Sequence, residues 1–237
     1  MPPGISRTWH RWFLRTVTEM KANSMTSFTG FGKDLIKYYL QLEENNNREW
    51  FHAHRAMYDE NVAVPLKNLA ADLSLDFGPV KIFRPYRNVR FWPDLPPLNE
   101  HASLTADAEY NSAFYLRIDA DGMLLGAGNW QPSKAQLTQF RAIAATETGA
   151  RVIRALLDEM QKHLFELMTD NALKSAPRGY PKDHPNIDLL RLKSLSLSAH
   201  LAPGPWLYSS KCRDKVMTGW QALTPWIHWL RANLPPD

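Results

Sequence analysis

Apolar residues recur at helical spacing toward both ends of the chain and alternate with polar ones in its middle. Leu35, Ile36, Tyr39, Leu40 and Leu42 form a stripe that stops at Asn45-Asn46-Asn47. Asn continues a helix poorly but caps one well, so Asn47 predicts a second helix carrying Trp50, Phe51, His54, Met57, Tyr58 and Val62. Pro65 ends it or opens a third segment, whose apolar side is Leu66, Leu69 and Leu73. Trp50 and Phe51 begin the second stripe, and both are expected in the core.

The period then shortens to two. Val80–Phe91 predicts a strand region, interrupted at Pro85, and Pro96-Pro97 marks a loop. Ala113–Ile118 and Met123–Gly128, joined through Asp119-Ala120-Asp121-Gly122, predict a hairpin. Gly126 and Gly128 thin its second strand, which lets another backbone or a ligand come close; packing is the expected role. Helical spacing returns at Ser133-Lys134-Ala135-Gln136, which has capping-box spacing and leads into Leu137, Phe140, Ile143 and Ala144. After Gly149 a helix is expected through Val152, Leu156, Met160, Leu164 and Leu167. A polar loop fills 173–185, and Leu195–Leu201 reads as a strand. Residues 213–233 read as a closing helix with Val216, Trp220, Leu223 and Ile227 inward and a bend at Pro225. Strands that cluster instead of alternating with helices predict an α+β fold, with an antiparallel sheet from the middle of the chain and helices packed on it.

Composition narrows the class. The chain has 237 residues, 44% hydrophobic and 22% charged, which suits one globular domain with a substantial core. The lone Cys212 excludes an internal disulfide and a Cys-based zinc site, and fits a reducing, cytoplasmic setting. His52 and His54 stand two apart and cannot share a helix face, so they form no metal pair. No apolar run is long enough for a membrane span. The net charge of +4 is unevenly placed. Residues 1–24 hold four of the 28 Lys+Arg and one of the 24 Asp+Glu, leaving a nearly neutral 24 against 23. A protein that coats a phosphate backbone carries a broad cationic excess, so nucleic acid is a weaker expectation than a small anion. Residues 1–24, with Trp9, Trp12, Phe13 and Val17 able to share one side of a basic helix, read as an extension. The globular domain is expected at 25–237.

Candidate chemistry concentrates in Lys81-Ile-Phe-Arg-Pro-Tyr-Arg-Asn-Val-Arg-Phe91, which has four cations and no acid. Arg suits anion recognition because its planar fork binds carboxylate or phosphate in a bidentate manner. Arg84, Arg87 and Arg90 are therefore ligand-binding candidates. Lys174 and Arg178 join them from the polar loop, where Pro177-Arg178-Gly179 reads as a turn presenting Arg178 and Tyr180. Arg84, Arg90 and Arg178 are expected around one anion near Glu49, unless Glu49, Asp94 and Asp183 neutralise the arginines and the arrangement is structural. Glu49 and His184 are the proton-transfer candidates, His184 because imidazole titrates near neutrality beside Asp183. Walker, dinucleotide, serine-elbow and metal-ligand patterns are missing from the sequence, so neither cofactor nor metal is implied. Two readings follow: an enzyme or binding domain for an anionic small molecule, phosphorylated or carboxylated, and a non-catalytic module for nucleic acid or a protein partner. A deep pocket favours the first, and a flat basic stripe running on to exposed Tyr86 or Trp92 the second.

Four motifs occur in one order: Asn45-Asn-Asn-Arg-Glu-Trp-Phe51, the basic segment 81–91, the hairpin ending in Gly-x-Gly-x-Trp130, and Leu173-Lys-x-Ala-Pro-Arg-Gly-Tyr-x-x-Asp-His-Pro185. Over roughly residues 27–234 this set resembles the bacterial and fungal family called domain of unknown function 2461. The resemblance implies one domain starting near Phe28 and brings no established activity with it. The chain departs from the family pattern at Asn88, where an acid is usual, and at Pro93, Leu95 and Asn99, where lysines are usual. Asp94 and Pro97 remain. A family site built on that acid and those lysines would be lost or retuned here.

Overall fold

Along β3 (Ser112–Asp119) buried and half-exposed residues alternate without a break. Ser112, Phe114, Leu116 and Ile118 enter the core, while Ala113, Tyr115, Arg117 and Asp119 look the other way. This strand sits near the centre of a six-stranded sheet in a computed structural model that describes residues 27–87, 94–109 and 112–236. The other strands are β1 (Val80–Ile82), β2 (Ala102–Glu109), β4 (Gly122–Asn129), β5 (Glu166–Leu167) and β6 (Leu195–Leu201). Their order is β1-β2-β3-β4-β6-β5, and every neighbouring pair is antiparallel. With helices packed on it, the molecule has the α+β architecture that the clustered strand pattern predicts.

The helices are α1 (Leu35–Glu44), α2 (Arg48–Ala53), α3 (Arg55–Tyr58), α4 (Val64–Phe77), α5 (Lys134–Ala144), α6 (Glu147–Lys162), α7 (Ile187–Leu190) and α8 (Lys211–Asn233). Asn47 caps α2 as expected, its Oδ1 accepting the Trp50 N–H at 2.8 Å. Between α3 and α4 the chain takes a π-helical turn, Asp59–Ala63. That extra residue swings Asn61 inward, where it accepts the Asp34 N–H at 3.1 Å and donates to the Met57 carbonyl at 2.9 Å. The capping box at Ser133 and Gln136 forms in full.

One helix supplies much of the sheet's cover. Trp220 of α8 stacks on Phe114 with centroids 5.3 Å apart and meets Phe77 of α4 edge-on. The Trp226 indole N–H donates to the Leu195 carbonyl at 2.9 Å, which ties α8 to β6. Pro225 lies within α8, which continues through it. Among the described residues, no helix is long and apolar enough to cross a membrane.

Several expectations change. β2 carries no strand prediction because its inward residues are Ala102, Leu104 and Ala106, too weak an apolar signal to register. The strand expected over Val80–Phe91 closes at Ile82 among the described residues, and residues 88–93 lie outside them. α6 ends at Lys162 and does not reach Leu167. Leu164 has φ 66° and is 77% exposed, and the chain turns there into β5. Val152 and Leu40 face solvent too, since an apolar residue at the edge of a stripe need not be buried. Trp50 is half-buried, stacked on His54 at 4.1 Å, whereas Phe51 is fully buried. The basic extension at 1–24 lies outside the described residues.

Candidate functional site

The face of the sheet opposite the core carries the more unusual chemistry. Register places Ser103 beside Arg117, and Thr105 beside Tyr115. Arg117 faces Leu124, Tyr115 faces Gly126, and Ala113 faces Gly128. Across β6 the rows continue with Ser198 opposite Gly126 and Ser196 opposite Gly128. These residues, with Trp130 and Met168, line a groove of ≈ 450 Å³.

The groove exists because β4 is bare at two positions. Gly128 has φ 136°, and a Cβ there would lie 2.2 Å from the Leu195 carbonyl oxygen. At Gly126 a Cβ would lie 2.7 Å from the Leu197 carbonyl oxygen. Close approach by the β6 backbone excludes side chains at both, which is the packing role expected of these glycines, and the sheet face is left hollow between Tyr115 and Ser198.

Arg117 dominates the electrostatics. Its Nε lies 2.9 Å from Asp119 Oδ2, an ion pair whose angle is too poor for a hydrogen bond. Among the described residues its terminal guanidinium nitrogens donate to nothing. Nearby, burial holds the His101 imidazole below its ordinary pKa, and the positive charge of Arg117 and then of Arg87 adds to the effect, partly opposed by Asp119. Burial likewise raises the Tyr115 phenol, with a hydrogen bond to Ser103 acting against it. A second hollow, ≈ 690 Å³, lies between α6 and Pro185-Asn186. Its cations already have partners: Arg154 donates twice to Asp188, at 2.8 and 3.0 Å, and Arg151 lies 3.8 Å from Glu147.

The candidates taken from the sequence are spread more widely. Arg84 is exposed just past β1, and its carbonyl accepts from the Asn99 side chain. Arg87 is half-buried, and its Nε donates to Asn99 Oδ1 at 3.2 Å. Asn99, where lysine is usual in the family pattern, thus binds both arginines' segment to the returning chain. Arg90 lies outside the described residues, as do Asn88 and Trp92. Glu49 is exposed in the first turn of α2.

Lys174 and Arg178 are exposed on the β5–β6 connection, where Gly179 has φ 93° and the Tyr180 N–H bonds back to the Pro177 carbonyl. The turn presenting Arg178 is therefore present. In the strand order, β1, which precedes Arg84, and β6, which follows the Arg178 turn, are four places apart. Among the described residues, no hydrogen bond, ion pair or ring contact joins the two segments. The gathering expected of Arg84, Arg90 and Arg178 around Glu49 includes Arg90, which lies outside the described residues. His184 Nδ1 accepts the Asn186 N–H at 3.0 Å, so its imidazole closes the entry to α7. Asp183 beside it is exposed.

The first and second motifs do meet. Phe51 packs edge-on to Tyr86 at 5.4 Å, and Asn46 exchanges hydrogen bonds with Leu98 at 3.1 Å. Tyr86 is consequently half-buried and offers no flat exposed ring. Arg117, Tyr115 and His101 are missing from the sequence-derived candidates. The available signal was the polar, charged outward register of β3, which reads at first as an ordinary solvated face.

No curated protein and no solved structure matches the chain. The profile of conserved hypothetical protein (DUF2461) matches residues 34–229. That span holds α1 through most of α8, the whole sheet and the groove on its open face, and includes all four ordered motifs. The chain therefore belongs to the DUF2461 family.

Proposed function

We propose that this protein binds an anionic small molecule in the groove on the open face of its sheet, with Arg117 as the principal counter-charge. One observation carries the reading: a guanidinium whose terminal nitrogens have no hydrogen-bond partner among the described residues, in the wall of a concave site otherwise lined by hydroxyls and apolar groups. Burial is the main cause of the lowered His101 pKa, and the Arg117 and Arg87 charges add to it against Asp119 and Glu100. The half-burial of Tyr86 against Phe51 weakens the case for an exposed basic and aromatic stripe.

Thermal unfolding of the full chain with increasing phosphate or sulfate tests the proposal. Binding to the folded state alone stabilises by mass action, about 2.7 kcal/mol at a hundredfold excess over Kd. The parent is expected to gain melting temperature saturably, and Arg117→Gln to lose that gain while melting normally without anion. An equal gain in both proteins removes Arg117, and with it this site.

A further inference from the structure

The groove's chemistry changes along its length, which names a ligand class. Arg117 stands toward one end and Trp130 at the other, with the hydroxyls of Thr105, Tyr115, Ser196 and Ser198 between them. Trp130 is 53% exposed although it lines the groove, and among the described residues no other ring lies against it. An indole in that position offers a free stacking face. Strand rise puts about 20 Å of β4 between Leu124, the partner of Arg117, and Trp130. Both residues line the same groove.

We infer that the ligand is a nucleoside monophosphate or a close analogue: a planar ring against Trp130, a hydroxylated middle opposite the serines and threonine, and a phosphate on Arg117. A simple inorganic anion uses one end of such a groove only, and a purely apolar ligand leaves Arg117 facing an uncharged group. The bare backbone at Gly126 and Gly128 leaves the middle hollow enough for a sugar to lie on the strand. This inference rests on the anion site proposed above and adds the ring and the linker to it.

Calorimetric titration of the full chain with three probes tests it: adenosine monophosphate, ribose phosphate and inorganic phosphate. Adenosine monophosphate is expected to bind about tenfold more tightly than ribose phosphate. Trp130→Leu should bring the two within about twofold of each other, and Trp130→Phe, which keeps a ring, should restore most of the difference. Arg117→Gln should weaken all three. If the phosphates bind through Arg117 but the ring adds nothing, or Trp130→Leu leaves the ratio unchanged, the ligand class is wrong and the anion site stands. If none of the three binds, both fall.

Discussion

A single side chain, Arg231, fastens the end of α8 to the least regular part of the sheet. Its guanidinium donates to Asp107 Oδ2 at 2.6 Å, to the Asp107 carbonyl, and to the Ser112 carbonyl at 3.1 Å. Asp107 has φ 50° and sits where the β2–β3 register slips. The left-handed backbone there is held by the arginine from both sides of the turn. With Arg231 removed, a partly buried carboxylate and two carbonyls lose their donors, so Arg231→Ala should cost about 3 kcal/mol in chemical denaturation. A loss within about 0.5 kcal/mol would show that water replaces the guanidinium freely. The neighbours Trp50 and Phe51 divide sharply at the same scale. Phe51→Ala empties a fully buried site and should cost about 3–5 kcal/mol. Trp50→Ala removes a half-exposed ring stacked on His54 and should cost nearer 1–2 kcal/mol, less than its place in the stripe suggests. Equal losses would put Trp50 back in the core.

β4 shows how backbone approach governs an element. Gly128 combines a positive φ with a β6 carbonyl where a Cβ would go, and Gly179 has a positive φ with open space around it. Strain alone is at work in the second, and strain plus collision in the first. Gly179→Ala should cost about 1 kcal/mol and Gly128→Ala at least about 3 kcal/mol, with β4–β6 pairing disturbed. Comparable melting temperatures for the two variants would mean that β6 shifts at little cost. The same element shows what was legible beforehand. The hairpin, its glycines and their packing role follow from sequence because each signal is local: alternation, a Gly-containing turn, and thinness in a strand. β2 escaped because alanines do not advertise a strand, and the partner strands β1 and β3 supply the hydrogen bonds that make it one.

For the molecule as a whole, burial of titratable groups sets a limit at high pH. Burial pushes the Cys212 thiol from 9.0 and the Tyr58 phenol from 10.0 up to about 12, with Lys215 and Arg55 respectively acting against the shift. A raised pKa in the folded state favours the neutral form. The stability it carries is complete below the unfolded values and is lost as pH climbs through 9.0 and 10.0 toward about 12. Denaturant midpoints should therefore hold steady below pH 9.0 and fall steeply between there and about 12, with Cys212→Ala removing the earlier part of the fall. A flat midpoint across that window would mean that both groups ionise without unfolding. Below it, the Cys212 thiol should resist alkylation in the native protein.

By itself the sequence determined the family, through four motifs in fixed order, and the fold class, because helical and strand periods are written in neighbouring residues. It determined the Asn47 cap and the Ser133 box for the same reason. Only the tertiary structure decided which residues line the groove. Arg84 and Arg178 look alike in sequence but adjoin strands four places apart in the sheet, and strand order is set by long-range pairing that no local pattern encodes. Arg117 lines a groove because β6 pairs with β4 and brings its carbonyls against Gly126 and Gly128, leaving a hollow where side chains would otherwise stand.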